Sequence, residues 1–184
     1  VAFDQEGREE SDHINATLEQ VRTDSSIALS GRVDLYQALL LHLHRQLADD
    51  ASVAVITSNS WLGTLAGQKF FRALTYYYSI ESIVASGNGK WFDNADVITL
   101  MLFLKKKNTL QASPDTHVVN FGLIHKALSD LTDDDTQQII NSIRLKQAVA
   151  PTLLTFKTYT LAKITELLSM NIVLNCFFYD VDWL

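Results

Sequence analysis

Ser52-Val-Ala-Val-Ile-Thr-Ser58 limits the possible folds of this chain more than any other segment: it is short, nearly all apolar and rich in β-branched residues. A run of that length is strand-sized, and its lack of polar alternation predicts a strand covered on both faces. Upstream, Leu35, Tyr36, Leu39, Leu40, Leu43 and Leu47 recur at helical spacing across Val33–Ala48. Asp34 sits in that helix's first turn, where its charge suits the positive end of the dipole, and Asp49-Asp50 ends it. Downstream, a helix over Thr64–Tyr77 leads into a second short strand, Ser79–Ala85. Helix, strand, helix, strand is the rhythm of a doubly wound α/β sheet. The Gly87-Asn88-Gly89 turn that follows is too short for a crossover helix, so the long apolar strand Val97–Leu104 is expected to return antiparallel.

The flanks are less regular. Residues 1–32 read as a polar loop segment, with at most one helical turn around Ala16–Val21. After Lys105-Lys106-Lys107 the pattern loosens, and a boundary is expected near Lys107–Pro114. Residues 108–184 then form a mixed, mainly helical extension: a strand at Val118–Leu123, helices at Thr132–Val149 and Leu161–Met170, and a last strand at Ile172–Tyr179. Thr132 followed by Asp133-Asp134-Asp135 is a strong helix start, a capping hydroxyl and then carboxylates in the first turn. The expected architecture is a partial doubly wound sheet over 33–107 with an antiparallel last strand, then a mostly helical tail. The chain begins at Val1 and stops in an aromatic-rich run, so both ends are expected to be cuts through a longer protein.

Charge and composition narrow the function. The net charge is −6, which argues against a free-standing nucleic-acid binder, because phosphate contacts need clustered positive charge. A single cysteine, Cys176, precludes an internal disulfide and suits a reducing cytoplasm; among Phe177, Phe178 and Tyr179 it reads as a small buried hydrophobe. No apolar stretch is long enough to span a membrane. No phosphate loop, Gly-x-Ser-x-Gly elbow, Cys-x-x-Cys or Glu-x-Lys pair occurs. His42 and His44 sit two apart on a helix and point to different sides, a poor arrangement for one metal, and His117 and His125 have no ligand partners at useful spacing. No catalytic or metal-ligating set is expected within this chain.

Three segments, in order, point to a family. Asp34-Leu35-Tyr36-Gln37-Ala38-Leu39, then Val55-Ile56-Thr57-Ser58-Asn59-Ser60-Trp61-Leu62, then Gly89-Lys90-Trp91-Phe92-Asp93-Asn94-Ala95-Asp96-Val97-Ile98-Thr99 follow one another at sensible spacing. Their succession resembles the later part of the catalytic domain of DNA adenine-N6 methyltransferases of the restriction–modification type. The resemblance covers about residues 33–107. It implies a class I, Rossmann-like methyltransferase sheet, with Phe92 as the aromatic that stacks on the adenine once it has flipped out of the duplex. It also implies that Asn59, Ser60 and Trp61, after a strand's C-terminal end, line the active-site rim. Trp61 reads more readily as a helix-docking hydrophobe, and Trp91 as a packing residue. Asp34 and Tyr36 fall in the cofactor's vicinity, although capping and core packing explain them too. Lys105, Lys106 and Lys107 are candidates for DNA phosphate contact, against the plainer reading of a solvated strand end.

The departures from the family matter as much. Its glycine-rich loop for S-adenosylmethionine and its Asn/Asp-Pro-Pro-aromatic catalytic tetrapeptide are both absent; the only prolines are Pro114 and Pro151. The expectation is therefore a fragment of a site-specific methyltransferase, inactive by itself and without tight cofactor binding. Its partners would be double-stranded DNA, met through the parent protein, and the remaining methyltransferase half, whose absence would leave a hydrophobic sheet edge exposed. The tail would lead toward a target-recognition domain, with Tyr179–Trp183 near its entrance. The alternative is a degenerate methyltransferase-like module that binds DNA or a protein without catalysis.

Overall fold

A computed structural model describes residues 2–29, 33–92, 97–108 and 116–181. Five strands, β1 (Ser52–Ser58), β2 (Tyr78–Ser86), β3 (Thr99–Lys106), β4 (Val118–Ile124) and β5 (Leu154–Thr160), form one mixed sheet in the order β1-β3-β2-β4-β5. Strand β3 runs antiparallel to both β1 and β2, as the short turn before it requires. Strands β1 and β2 thus point the same way without being neighbours. Strand β4 joins β2 in parallel, and β5 returns antiparallel to β4. Helices α1 (Ala2–Ser25), α2 (Leu35–Leu43), α3 (Leu65–Tyr77), α4 (Asp133–Leu145) and α5 (Leu161–Ser169) complete the α/β architecture.

Two apolar clusters hold the sheet between its layers. On one face, Leu100, Leu102 and Leu104 of β3 and Ile80 and Ile83 of β2 meet Leu41, Phe70, Phe71, Leu74 and Tyr77 of α2 and α3. Ile164 and Leu167 of α5, with Phe177, extend that cluster over β4 and β5. The other face is covered more thinly: Ile139 of α4 closes over Val84, Ile124 and Leu154, with Met101 and Phe103 only partly buried. Gly122 lets the Phe156 ring lie across β4, since an added Cβ would stand 2.7 Å from it. Side-chain volume, not backbone conformation, excludes anything larger there.

Four sequence expectations change. Residues 2–25 are helical, where the sequence predicts a loop: over residues 9–25, whose side chains are described, α1 buries only Leu18 and Val21, and the helix is otherwise rich in Glu, Gln and Arg. Those residues favour helix by propensity without producing a broad apolar stripe. Strand β1 is an edge strand with one covered face, not two. Val53 and Val55 pack toward the helices and Thr57 is buried, while Ile56 is 53% exposed on the other side. Ile172–Tyr179 holds a 3-10 turn, Leu174–Phe178, in place of a strand, because Leu174, Phe177 and Phe178 plug the helical face of the sheet. The second strand of the extension is instead β5, at Leu154–Thr160, whose Thr, Lys and aromatic residues leave no clean period-2 pattern. Pro114 and Trp183 lie outside the described residues.

Helix ends follow local chemistry. The Asp34 N–H donates to Gln37 Oε1 at 3.1 Å, half of a capping box at the start of α2. Thr132 and Asp135 satisfy each other's backbone N–H groups at 3.1 and 3.0 Å, which starts α4 where the Thr-Asp-Asp-Asp run predicts. Lys146, with φ 53°, ends it.

Candidate substrate-facing rim

The register gathers several loops at one end of the sheet. Ser58 lies opposite Thr99, and Ala85 opposite Leu100, so the C-terminal ends of β1 and β2 sit together beside the start of β3. Ser86 pairs with Ile124, which brings the end of β4 to the same place. The rim is therefore built from Asn59–Gly63 after β1, Gly87–Phe92 after β2 and His125-Lys126 after β4. This is the end of an α/β sheet at which ligands bind. Asn59 N–H donates to Ile98 O at 2.9 Å, and Gly87 N–H to Ile124 O at 2.7 Å, stitching the loops to neighbouring strands.

Behind Asn59 an aromatic group fixes the first loop. Trp61 and Phe70 meet edge to face, with centroids 5.2 Å apart and planes at 88°, and Tyr36 meets the same Phe70 ring at 6.4 Å and 84°. Trp61 is 3% exposed and packs behind the rim. Gly67 is what lets α3 approach: a Cβ there would stand 1.6 Å from the Trp61 carbonyl oxygen. Thr64 then caps α3, accepting from the Gly67 N–H at 3.0 Å. Ser60 stays exposed and Asn59 half-exposed.

Tyr36 brings the α2 residues to the same rim. Its phenol is pushed up to about 12, first by burial and then by the field of the neighbouring Asp34 carboxylate. Ser60 and Gln37 act in the opposite direction, yet the Tyr36 hydroxyl meets no partner at hydrogen-bond geometry. The Trp61 and Trp91 indole nitrogens and the Thr99 hydroxyl share that condition. All four belong to segments at this end of the sheet, and buried polar atoms without partners are uncommon in folded proteins. Phe70 and His125, whose Nε2 lies 3.0 Å from Thr155 Oγ1, complete the rim without belonging to any motif, and Thr99 is the last residue of the third motif segment.

Trp91 and Phe92 divide their work. Trp91 is 9% exposed and packs with Val84, Ile124, Ile139, Leu153 and Leu154, whereas Phe92 presents its ring at 45% exposure. Asp93–Asp96, the next residues of that motif, lie outside the described residues.

The three lysines lie elsewhere. They close β3 at the opposite end of the sheet, where Lys105 pairs with Ser52 and Lys106 with Tyr78. Lys105 Nζ stands 3.0 Å from Asp50, and Lys106 Nζ donates to Leu47 O at 2.6 Å with Asp49 at 3.3 Å. Lys107 Nζ donates to the Thr75 carbonyl in the last turn of α3, and burial pulls its ammonium down to about 8. Asp34, Tyr36, Asn59, Ser60, Trp61 and Phe92 are thus brought to one end, and the lysines are not. Among the described residues no group of His, Cys, Asp or Glu is arranged to hold a metal, and no helix is long and apolar enough to cross a membrane. His44 is buried and stacked on Tyr77, while Cys176 is half-buried against the larger cluster as a free thiol.

No family model matches the chain. It is 36% identical over 80 residues to the type II methyltransferase M.BanIII of Aneurinibacillus aneurinilyticus, a match that takes in 44% of this chain and 14% of that protein. By fold it superposes on a type I restriction–modification methyltransferase subunit from Streptococcus thermophilus, with TM-score 0.60, 18% identity, and 85% of this chain against 34% of the other. The type IIG restriction endonuclease BpuSI gives TM-score 0.60 at 12% identity, over 83% of this chain and 18% of that one. The chain therefore spans only a minor part of each protein it is similar to. By sequence over those 80 residues, and by fold over most of its length, the chain matches part of a methyltransferase domain of the restriction–modification type.

Proposed function

We propose that this chain is the latter part of a DNA adenine-N6 methyltransferase domain and that its rim receives the flipped target base. The observation that carries this reading is the pairing of an exposed Phe92 ring with a buried Trp91 at the strand ends that also present Asn59, Ser60 and Tyr36. A planar ring held half in solvent offers a π-face to an unstacked base and so offsets part of the stacking lost on flipping. Asp34 and Tyr36 add an exposed carboxylate and a hydroxyl without a partner at the same end, a donor set that fits one wall of an S-adenosylmethionine site. Bound there, the cofactor would supply the methyl group. The glycine-rich loop and the Asn/Asp-Pro-Pro-aromatic tetrapeptide are not in this sequence, so this chain by itself is proposed to bind the cofactor weakly and to methylate nothing.

The partners follow from the same surfaces. The outer edge of β1 carries no further strand among the described residues, and Ile56 is exposed on the thinly covered face. We assign this edge to the remaining half of the methyltransferase domain, with double-stranded DNA bound by the whole protein in the cytoplasm. The test is Phe92→Ala in the longer protein. Turnover on DNA is expected to fall at least tenfold while cofactor affinity stays near wild type; a comparable loss of cofactor affinity would remove Phe92 from base capture. A module that binds DNA or a protein without catalysis would instead show unchanged DNA binding in Phe92→Ala and no methyl transfer in either form.

A further inference from the structure

We propose that the extension after Lys107 is the seat of the Phe92 segment, and that Trp91 is the positioning residue that locks it there. This rests on the reading of Phe92 given above and adds the device that holds it.

Two of the ties that hold the segment Gly87–Phe92 reach onto the extension. At its start, Gly87 N–H donates to Ile124 O of β4 at 2.7 Å, and a Cβ on Gly87 would stand 3.0 Å from that same oxygen and from Leu123 Cγ. The chain then turns through Gly89, whose φ of +79° is in the left-handed region and leaves the turn free of strain. At its far end the Trp91 indole returns to the sheet. Of the buried residues it clusters with, only Val84 precedes Lys107; Ile124 belongs to β4, Ile139 to α4, and Leu153 and Leu154 to the approach and start of β5. Trp91 is 9% exposed and its neighbour Phe92 45%, so the two side chains face different sides and seating Trp91 inward leaves Phe92 outward. An indole buries a large apolar area with few rotatable bonds, which makes it a stiff anchor. The extension therefore does more than continue the chain: β4, α4 and the start of β5 supply most of the buried side chains in the Trp91 cluster, and the rest of the chain adds Val84 with the partly buried Met101 and Phe103.

The consequence is a coupling. A change in the packing of α4 is transmitted to the orientation of Phe92 with no contact to substrate.

The test compares Trp91→Ala, Trp91→Phe, Ile139→Ala and Phe92→Ala in the full-length protein that carries this chain. Two readouts are taken: amide hydrogen exchange over Asn88–Phe92, and kcat and KM for methyl transfer to unmethylated genomic DNA. Trp91→Ala and Ile139→Ala are expected to raise exchange in Asn88–Phe92 at least tenfold, and to lower kcat about tenfold with KM for DNA little changed. Trp91→Phe should restore most of both, and Phe92→Ala should lower kcat while leaving exchange protected. The exchange readout stands where no methylation is detected. Unchanged exchange in both Trp91→Ala and Ile139→Ala overturns the seat. An unchanged kcat in Phe92→Ala, with exchange still raised in Trp91→Ala, overturns the base-stacking reading and leaves the seat in place.

Discussion

His44 stacks on Tyr77 with ring centroids 3.9 Å apart and planes 26° from parallel. The contact ties the end of α2 to the end of α3, and the Tyr77 hydroxyl extends it to α1 by donating to Asp24 at 3.0 Å. His44 Nδ1 lies 2.6 Å from the Leu41 carbonyl, so the neutral ring with hydrogen on Nδ1 satisfies that oxygen. Burial lowers the imidazole's affinity for a proton; Arg45 and Lys106 lower it further, while the Leu41 carbonyl and Asp24 oppose them. The folded state therefore resists protonation more than the unfolded chain does. Stability is complete above the unfolded value of about 6.5 and is lost as pH falls through it toward the lower folded value. Urea midpoints at pH 7.5 and 5.5 should show a drop in wild type that is smaller in His44→Phe, which keeps a stacking ring and cannot titrate. Equal drops in the two proteins would exclude His44 as the source.

The tightest approach at any described glycine gives a second prediction. At Gly67, α3 lies so close to the turn after β1 that any side chain would overlap the Trp61 carbonyl, at 1.6 Å. Gly67→Ala must push α3 away from Trp61 and so disturb the Trp61–Phe70–Tyr36 aromatic group. Overpacking of this kind costs about 3 kcal/mol, which for a domain of this size lowers Tm by roughly 6–12 °C. Gly63→Ala is the control: its Cβ would meet only the Asn175 side-chain nitrogen at 3.1 Å, which can move aside. Similar Tm losses in both variants would show that Gly67 is not the constraint described.

The lysines at the end of β3 yield a third. The Lys107 ammonium, bonded to the Thr75 carbonyl, is drawn down to about 8 by burial, below its unfolded value of 10.5. Between those values the unfolded chain holds the proton more tightly than the folded one, so raising pH favours the fold. Wild type should gain stability relative to Lys107→Met as pH rises from 8 to 10, measured by urea denaturation of both. A difference that is flat with pH would mean the ammonium is not buried as described. Because Lys105 and Lys106 are also engaged with Asp50, Asp49 and Leu47, replacing all three lysines is expected to leave the salt slope of DNA binding by the longer protein nearly unchanged.

The legible parts of the fold are those where one local signal dominates. The Leu35–Leu43 helix, the Ser52–Ser58 strand, and the antiparallel return after Gly87-Asn88-Gly89 follow from periodicity and turn length, and Thr132 starts α4 where its hydroxyl and the following carboxylates require. Strand β5 was not legible, because Leu154-Thr-Phe-Lys-Thr-Tyr-Thr160 becomes a strand through pairing with β4, a contact that no local period encodes. Helix α1 was hidden for the opposite reason: good helix formers surround a seam too narrow to register as amphipathic. At the rim, the motif residues were legible as positions, but their division of labour was not. Adjacent aromatic letters do not reveal that Trp91 turns in and Phe92 out, nor that Lys106 and Lys107 reach back to the Leu47 and Thr75 carbonyls.

The last prediction concerns the edge of the sheet. Ile56 points away from the helical layer, opposite Met101, and is 53% exposed where α4 does not reach. Placing a carboxylate there disturbs little that this chain buries, so Ile56→Asp in the isolated chain should change stability by no more than about 0.5 kcal/mol. If the remaining half of the methyltransferase domain covers this face, the same carboxylate is desolvated without a partner in the longer protein, at a cost of several kcal/mol. The measurement is the Tm shift of Ile56→Asp in the two contexts, with Ser60→Asp at the exposed rim as a control for added charge. A large shift in the longer protein and almost none in the isolated chain places the missing half on β1. Equal small shifts would leave this edge facing solvent and assign the partner half to another surface.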